Sequence, residues 1–401
     1  MVKIKEFAVE QWMDLYENDA KHNLAETCCA SISLDDLEVL SGQQTDIVNH
    51  SQKQVYGAIR GSSALRTNIA KLYSMNGCKD VSENNVLVTN GAIQANFLAL
   101  YTNIGPGDHV ICHYPTYQQL YSVPESLGAE VSLWKTSAET GWQLDLTELK
   151  SLIKPDTKLI ILNNPQNPTG AVLGRKFLQG VVDIARSYNI IIHSDEVYRP
   201  LFHSLDPSSP ESPPSILDFQ YEKVISTGSM SKAFSLAGIR LGWIASRDLE
   251  IIEACAATRH YTLISVGQID DNIATHALSS PCVGNLLSRN VQLAKQNLED
   301  LQAFIEEFKW TASWVKPQAG TTAFVKFMKN GQPIDEIIFC QKLQEKSGVM
   351  FVPGSQCFGE GEDFKGFVRI GYVPERQVMV GGLKALREFM YAGYDGIPVI
   401  Q

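Results

Sequence analysis

Several things are missing from this 401-residue sequence, and each absence removes a class of function. It contains no uncharged apolar run of 18 or more residues, so a membrane-spanning helix is not expected. Its eight cysteines are scattered and form no CxxC pair; a disulfide framework or a zinc ribbon is therefore not expected, and buried thiols in a reducing, cytoplasmic compartment are. Basic residues are outnumbered, with Lys plus Arg at 34 against 44 for Asp plus Glu and a net charge of −10. That balance argues against nucleic-acid or anionic-membrane partners and leaves a locally basic pocket for a small anion. There is no HExxH, no paired-histidine spacing and no Walker loop, so neither a metal nor a nucleotide triphosphate site is expected. The acid-studded N-terminus lacks the apolar core of a signal peptide. Fixed-period repeats and low-complexity tracts are also missing.

What remains is ordinary globular composition, 44% hydrophobic and 19% charged, with enough chain for two or three domains. Residues 58–75 read as a helix. From there short apolar runs alternate with amphipathic stretches: NVLVT (85–89), HVICHY (109–114), KLIILNN (158–164), IIIHSDE (190–196), KVISTGS (223–229) and GWIAS (242–246) read as strands. Continuous apolar strands separated by helices imply an α/β fold with a mostly parallel sheet covered on both faces. Past about residue 280 the rhythm changes. A long amphipathic helix (284–308) leads into strands TTAFVKFM, VMFVPGS and GFVRIGYV and a closing helix VGGLKALREFMYA. A large domain over 45–285 is expected, with a smaller one built from 1–44 and 286–401.

In an open α/β sheet, ligands bind beyond the carboxyl ends of the strands. Four polar clusters fall there. Asp195 ends a strand of buried-type residues, with Tyr198 three positions on; a carboxylate so placed needs a partner, whether a ligand, a helix cap or a structural ion pair. NNPQNPTG (163–170) fixes asparagine amides, including Asn167, between prolines. VTNGAIQ places Gly91 between a strand and a helix, so the free N–H groups of Ala92 and Ile93 are available to an anion. STGSMSKAFSLAGIRLGW (226–243) carries Lys232 among Ser229 and Ser231, with Arg240 eight residues on and otherwise neutral neighbours.

Taken together, in this order and spacing, these clusters resemble the fold type I pyridoxal-phosphate enzymes, specifically the class I/II aminotransferases, over about residues 50–390. The resemblance implies a cofactor, pyridoxal 5'-phosphate, and a catalytic set of Lys232, Asp195 and Tyr198. Lys232 is expected to link to the cofactor aldehyde and then work as base and acid at the substrate Cα. Asp195 is expected to keep the ring nitrogen protonated, and Asn167 and Tyr198 to bond the ring's phenolic oxygen. Ser229, Arg240 and the turn Gly91, Ala92, Ile93 are expected at the phosphate, Tyr117 on the ring face. Arg369, in GFVRIGYV, is expected to grip the substrate α-carboxylate, with Asn167 beside it. Tyr56, followed by Gly61, matches a tyrosine lent across a dimer interface, which implies a homodimer with shared active sites.

The N-terminal stretch LAETCCASISLDDL (24–37) departs from the family, which has a glycine-rich segment there; Glu26, Thr27 and Cys28 are expected at the substrate mouth instead. No second arginine for a dicarboxylate side chain stands out, and Arg259 only lies near the right region. His193 reads either as support for Asp195 or as a satisfied core histidine. The expected activity is transfer of the amino group of an L-amino acid to a 2-oxo acid, within amino-acid metabolism. A pyridoxal-phosphate lyase, cyclase or γ-substitution enzyme is the alternative, because the same framework hosts all of these chemistries. A ligand-sensing regulator is disfavoured, since no basic helix-turn-helix pattern is present.

Overall fold

The computed structural model describes residues 3–43, 47–74, 80–205 and 212–400. The expected domain boundary at 44/45 falls outside them. Seven strands form the central sheet: Val86–Thr89 (β1), His109–Tyr114 (β2), Glu130–Lys135 (β3), Thr157–Asn163 (β4), Ile191–Asp195 (β5), Val224–Ser229 (β6) and Gly242–Ser246 (β7). Their order is β1-β7-β6-β5-β4-β2-β3. β6, β5, β4, β2 and β3 run parallel, while β7 is antiparallel to both of its neighbours. The residues of β1, β2, β6 and β7 are all buried, which is why these strands read as continuous apolar runs.

Helices cover the sheet where the sequence spaces its apolar residues by three and four. Arg175–Tyr188 buries Leu178, Val181, Val182 and Ala185 and stops at Asn189, which is in the left-handed region at φ 58°. The helix Cys282–Glu307 buries Val283, Leu286, Asn290, Ala294, Leu298 and Leu301 along one stripe. Each buried leucine contributes about 1.5–3 kcal/mol of burial free energy.

A second sheet is built from Ala312–Trp314 (β8), Thr322–Lys329 (β9), Gln332–Pro333 (β10), Val352–Pro353 (β11) and Phe367–Gly371 (β12), in the order β10-β9-β12-β11 with β8 also on β9. All of its pairs are antiparallel. The N-terminal segment is stitched between the two sheets. Gly371 donates to the Leu24 carbonyl and Ala30 to that of Val373, while Cys29 donates to the carbonyl of Lys232. Helix Ala8–Tyr16 is pinned to the same unit by Trp12, whose Nε1 donates to the Phe351 carbonyl at 2.8 Å.

Three sequence expectations need correction. The helix expected over 58–75 runs over Ser63–Ser74 and not from residue 58, because Gly61 turns at φ 94° and Asp271 takes the Ser62 amide and hydroxyl. Residue 75 lies outside the described residues. VMFVPGS is not one strand. Val349–Met350 pairs with His22–Asn23, Val352–Pro353 joins β12, and Gly354 starts a short helix. Edge strand β3 had not been expected: its EVSLWK mixes charged ends with half-exposed positions, as edges do.

Candidate active site

Strand register assembles the floor of the site. Asn163 on β4 lies opposite Asp195 on β5, which lies opposite Thr227 on β6, so three polar side chains share one row near the carboxyl ends of three parallel strands. Asn163 and Asp195 open into a cavity of about 550 Å³ at the carboxyl ends of the sheet.

Asp195 is 3% exposed and has no cationic partner among the described residues. Its Oδ2 accepts from Asn96 Nδ2 at 3.0 Å and its Oδ1 from the Val197 amide at 3.2 Å. Burial pushes its carboxyl up to about 6, although these donors pull the other way. Asn96 is itself oriented by Thr227 Oγ1 at 2.6 Å and by His193 Nε2 at 3.1 Å. Of the two readings of His193, support for Asp195 through Asn96 is the one the contacts favour. Burial holds its ring down to about 3, which keeps it neutral.

Lys232 follows β6 and points across the cavity at the N-terminal segment. Its Nζ donates to Thr27 Oγ1 at 2.6 Å and lies 3.4 Å from Cys28 Sγ and 3.9 Å from Glu26 Oε1. Burial alone would lower its pKa; Cys28, Glu26 and Tyr198 outweigh that and raise it. Burial likewise acts to raise the Glu26 carboxyl, but the Lys232 charge and the amides of Cys28 and Thr27 bring it down to about 2. Burial pushes the Cys28 thiol up to about 11, so it is a neutral contact and not a nucleophile. Tyr198 is buried beside Thr27, and that burial raises its phenol above the ordinary range.

At the other end of the cavity, Gly91 opens helix Gly91–Asn103, whose first N–H groups, including those of Ala92 and Ile93, have no partner inside the helix. Gly91 has φ 77°, and a Cβ on it would stand 2.7 Å from Arg240 Nη2. Gly242 at the start of β7 packs so close that a Cβ there would meet the Ala92 amide at 2.6 Å. Two glycines thus let the guanidinium, the helix N-terminus, Ser229 and Ser231 converge. Arg240 Nη1 contacts Ser231 Oγ at 3.4 Å and the Ala237 carbonyl at 2.9 Å, with no carboxylate on it among the described residues. That is a dianion cradle without an internal anion.

Arg369 on β12 closes the opposite wall. It is 3% exposed, donates from Nη2 to the Ala25 carbonyl at 2.9 Å, and leaves Nε without a partner. Tyr117 lines the same cavity, with its hydroxyl on Glu10 at 2.7 Å and its ring 4.8 Å from that of Phe7.

Every expected pocket residue therefore lines this cavity except Gly91, which backs Arg240, and Tyr56, which is 78% exposed outside it. Arg259 is buried elsewhere, donating to the carbonyls of Ile59 and Ile264. Sequence reasoning missed Asn96, Ser231 and the helix face Phe7, Glu10, Met13, Glu17 as cavity residues. Asn96 was reachable, being one helical turn beyond Ala92.

An uncompensated buried carboxylate, a lysine and a dianion cradle, spaced along one cavity beyond a parallel sheet, suit a cationic ring nitrogen, an aldehyde and a phosphate on one molecule. Fold and site together define a pyridoxal-phosphate enzyme of fold type I. The sequence profile of the family described as aminotransferase class I and II matches residues 10–380, so the chain belongs to that family, and its cofactor is pyridoxal 5'-phosphate. A PLP-dependent aminotransferase from Streptococcus suis 89-1591 superposes with a TM-score of 0.88 at 39% identity, covering 97% of this chain and 98% of that one. An aspartate aminotransferase of Thermotoga maritima is 30% identical over 333 residues, 82% of each chain. A capreomycidine synthase of Streptomyces vinaceus is 27% identical, over 76% of this chain and 74% of that one. The chain is a pyridoxal-phosphate-dependent aminotransferase.

Proposed function

We propose that the protein moves the amino group of an L-amino acid to a 2-oxo acid, with Lys232 and Arg369 as the two groups that meet the substrate. The observation that carries this reading is the pair of unanswered charges in one cavity: among the described residues, buried Asp195 has no cation and buried Arg369 no anion. Asp195 would hold the ring nitrogen, Asn167 and Tyr198 the phenolic oxygen, and Tyr117 the ring face. Ser229, Arg240 and the amides of Ala92 and Ile93 would hold the phosphate, with Ser231 beside them. When bound, the cofactor supplies the electron sink that makes the substrate Cα–H acidic. Arg369 fixes the α-carboxylate by its fork, which orients the Cα–H toward Lys232 Nζ. Lys232 would take the Cα proton and deliver it to the cofactor carbon that retains the nitrogen, and in the second half would move a proton the opposite way, onto the Cα of the acceptor. The N-terminal segment over Lys232 keeps bulk water from the proton in transit.

The same reading includes a homodimer. Helix Gly91–Asn103 exposes Ile93, Phe97 and Tyr101 in one stripe, and the loop joined to it through Gln94 and Thr262 exposes Tyr261 and Ile264. Beside that loop, linked through Gln268, stand exposed Val55, Tyr56 and Ile59. An apolar face this broad beside the cavity fits a second copy, whose Tyr56 would reach this chain's phosphate cradle. We place residues 45–285 in a cofactor-binding domain and 1–44 with 286–401 in a smaller one, and the protein in the cytoplasm. Among the described residues no helix is long and apolar enough to cross a membrane, and six of the seven described cysteines are buried and free.

The test mixes holoenzyme with single L-amino acids. Release of one equivalent of 2-oxo acid per site, becoming catalytic only on addition of a second 2-oxo acid, is the expected result. Continuous product formation without an acceptor would overturn it in favour of a lyase or cyclase. Mixing Lys232→Ala and Tyr56→Ala protomers tests the shared site, which predicts altered cofactor affinity in the mixed species.

A further inference from the structure

The cavity contains more acid than the proposed reaction uses. Its cations are Lys232, Arg240 and Arg369, and each already has a task at the reacting nitrogen, the phosphate or the α-carboxylate. No cation is left among the described lining residues for a second substrate carboxylate. Arg259, which might have served, is turned onto the carbonyls of Ile59 and Ile264.

Besides Asp195, three carboxylates line the same space: Glu10, Glu17 and Glu26. Phe7, Glu10, Met13 and Glu17 recur at three and four residues, so one face of the N-terminal helix and its following turn looks into the cavity. The opposite face is fixed by Trp12 on Phe351, which prevents the helix from rotating its acids away. Glu10 is held by the Tyr117 hydroxyl at 2.7 Å, and neither Glu10 nor Glu17 has an ion-pair partner among the described residues. Among the described residues Glu26 has one ion-pair partner, Lys232, at 3.9 Å. Once the lysine is engaged by the cofactor, that carboxylate loses its counter-charge while the Thr27 and Cys28 amides keep it aimed into the cavity. Arg369, buried with Nε unpartnered, marks where the substrate's α-carboxylate docks, and the acids line the same cavity that its side chain must enter.

We propose that the amino-acid substrate has a cationic side chain, an ammonium or guanidinium, received by Glu26, Glu17 and Glu10. This rests on the aminotransferase reading and names its substrate class. A carboxylate side chain would instead face three like charges, which disfavours it.

The test uses holoenzyme and three probes lacking the α-amino group, so that binding is read without turnover: 5-guanidinopentanoate, pentanoate and glutarate, by calorimetry at low and high salt. The guanidino compound is expected to bind at least tenfold more tightly than either of the others, with the margin shrinking as salt rises. Glu17→Gln and Glu26→Gln are each expected to weaken it threefold or more and to leave pentanoate unchanged. Pentanoate or glutarate binding as tightly as the guanidino compound would overturn the proposal, as would variants that weaken all three probes equally. Release of 2-oxo acid from L-arginine or L-ornithine is scored separately. If the guanidino preference held but no amino acid were transaminated, the side-chain assignment would stand and the aminotransferase reading would fall.

Discussion

Arg369 and Asn167 touch: Nη1 of the arginine lies 3.4 Å from Oδ1 of the asparagine, although one sits on the second sheet and the other in the loop after β4, 202 residues away. The contact joins the wall that binds the substrate carboxylate to the loop that faces the cofactor ring. Asn167 is fixed in turn, its amide donating to Asn163 Oδ1 at 2.7 Å at the end of β4. The second sheet is thereby keyed to the first at the point where substrate and cofactor meet.

Arg369→Ala should therefore act on the substrate and spare the cofactor. Hydrogen bonds to a charged group contribute about 1.5–3 kcal/mol each. Losing the fork should raise KM for the amino acid about 10²-fold, with cofactor Kd changed by less than about threefold. Arg369→Lys should recover only part, because a point charge cannot bind bidentately. Steady-state kinetics and a cofactor titration check this; an unchanged KM would move the carboxylate site elsewhere.

Lys232→Ala should abolish the covalent link and the visible absorption that accompanies it, and lower turnover by about 10³-fold or more. Borohydride reduction followed by peptide mass spectrometry should leave cofactor mass on the Lys232 peptide of the native protein and none on the variant. Cofactor mass found on a different lysine would sink the assignment.

How much of this was legible before the structure depended on where the information sits. Lys232, Asp195, Asn167 and Arg240 could be read because each belongs to a local pattern, a polar group closing an apolar strand or a loop braced by prolines. The split of VMFVPGS into two pairings could not, since an apolar run does not say which of two strands will claim it; the partner Asn23 is 327 residues from Met350. The acids of the N-terminal helix were hidden for a similar reason. Glu10 and Glu17 look like ordinary surface charges until Trp12 anchors the other face, and that anchor depends on a contact with Phe351. The expectation that Glu26, Thr27 and Cys28 line the mouth rests on a gap in the family pattern, and the contacts of Lys232 with all three agree with it.

Gly91→Ala tests the phosphate cradle. An L-residue at φ 77° costs about 1–2 kcal/mol, and the new methyl would also push Arg240 out of place. Gly107 has φ 88° and open space around it, so Gly107→Ala has the backbone strain without the collision. Both variants should lose stability in thermal melts, but only Gly91→Ala should raise cofactor Kd, by about tenfold. Equal cofactor affinity in the two would show that Arg240 does not depend on that gap.

Asp195 should leave a signature in the pH dependence of the cofactor-free protein. Its folded carboxyl titrates near 6, raised by burial from 3.8. Between those values the folded state keeps a proton that the unfolded chain gives up, so the stability Asp195 contributes falls as pH rises through that window. It is constant above about 6. Two units correspond to about 3 kcal/mol. Asp195→Asn removes the titration and keeps the shape, so the native protein should lose about that much relative to the variant between pH 4 and 6.5, read from denaturant midpoints. Burial also raises the Asp218 carboxyl to about 6, but that group is common to both proteins and cancels in the difference. Parallel stability curves across the window would mean that Asp195 is ionised throughout, and that the cofactor-free site already compensates its charge.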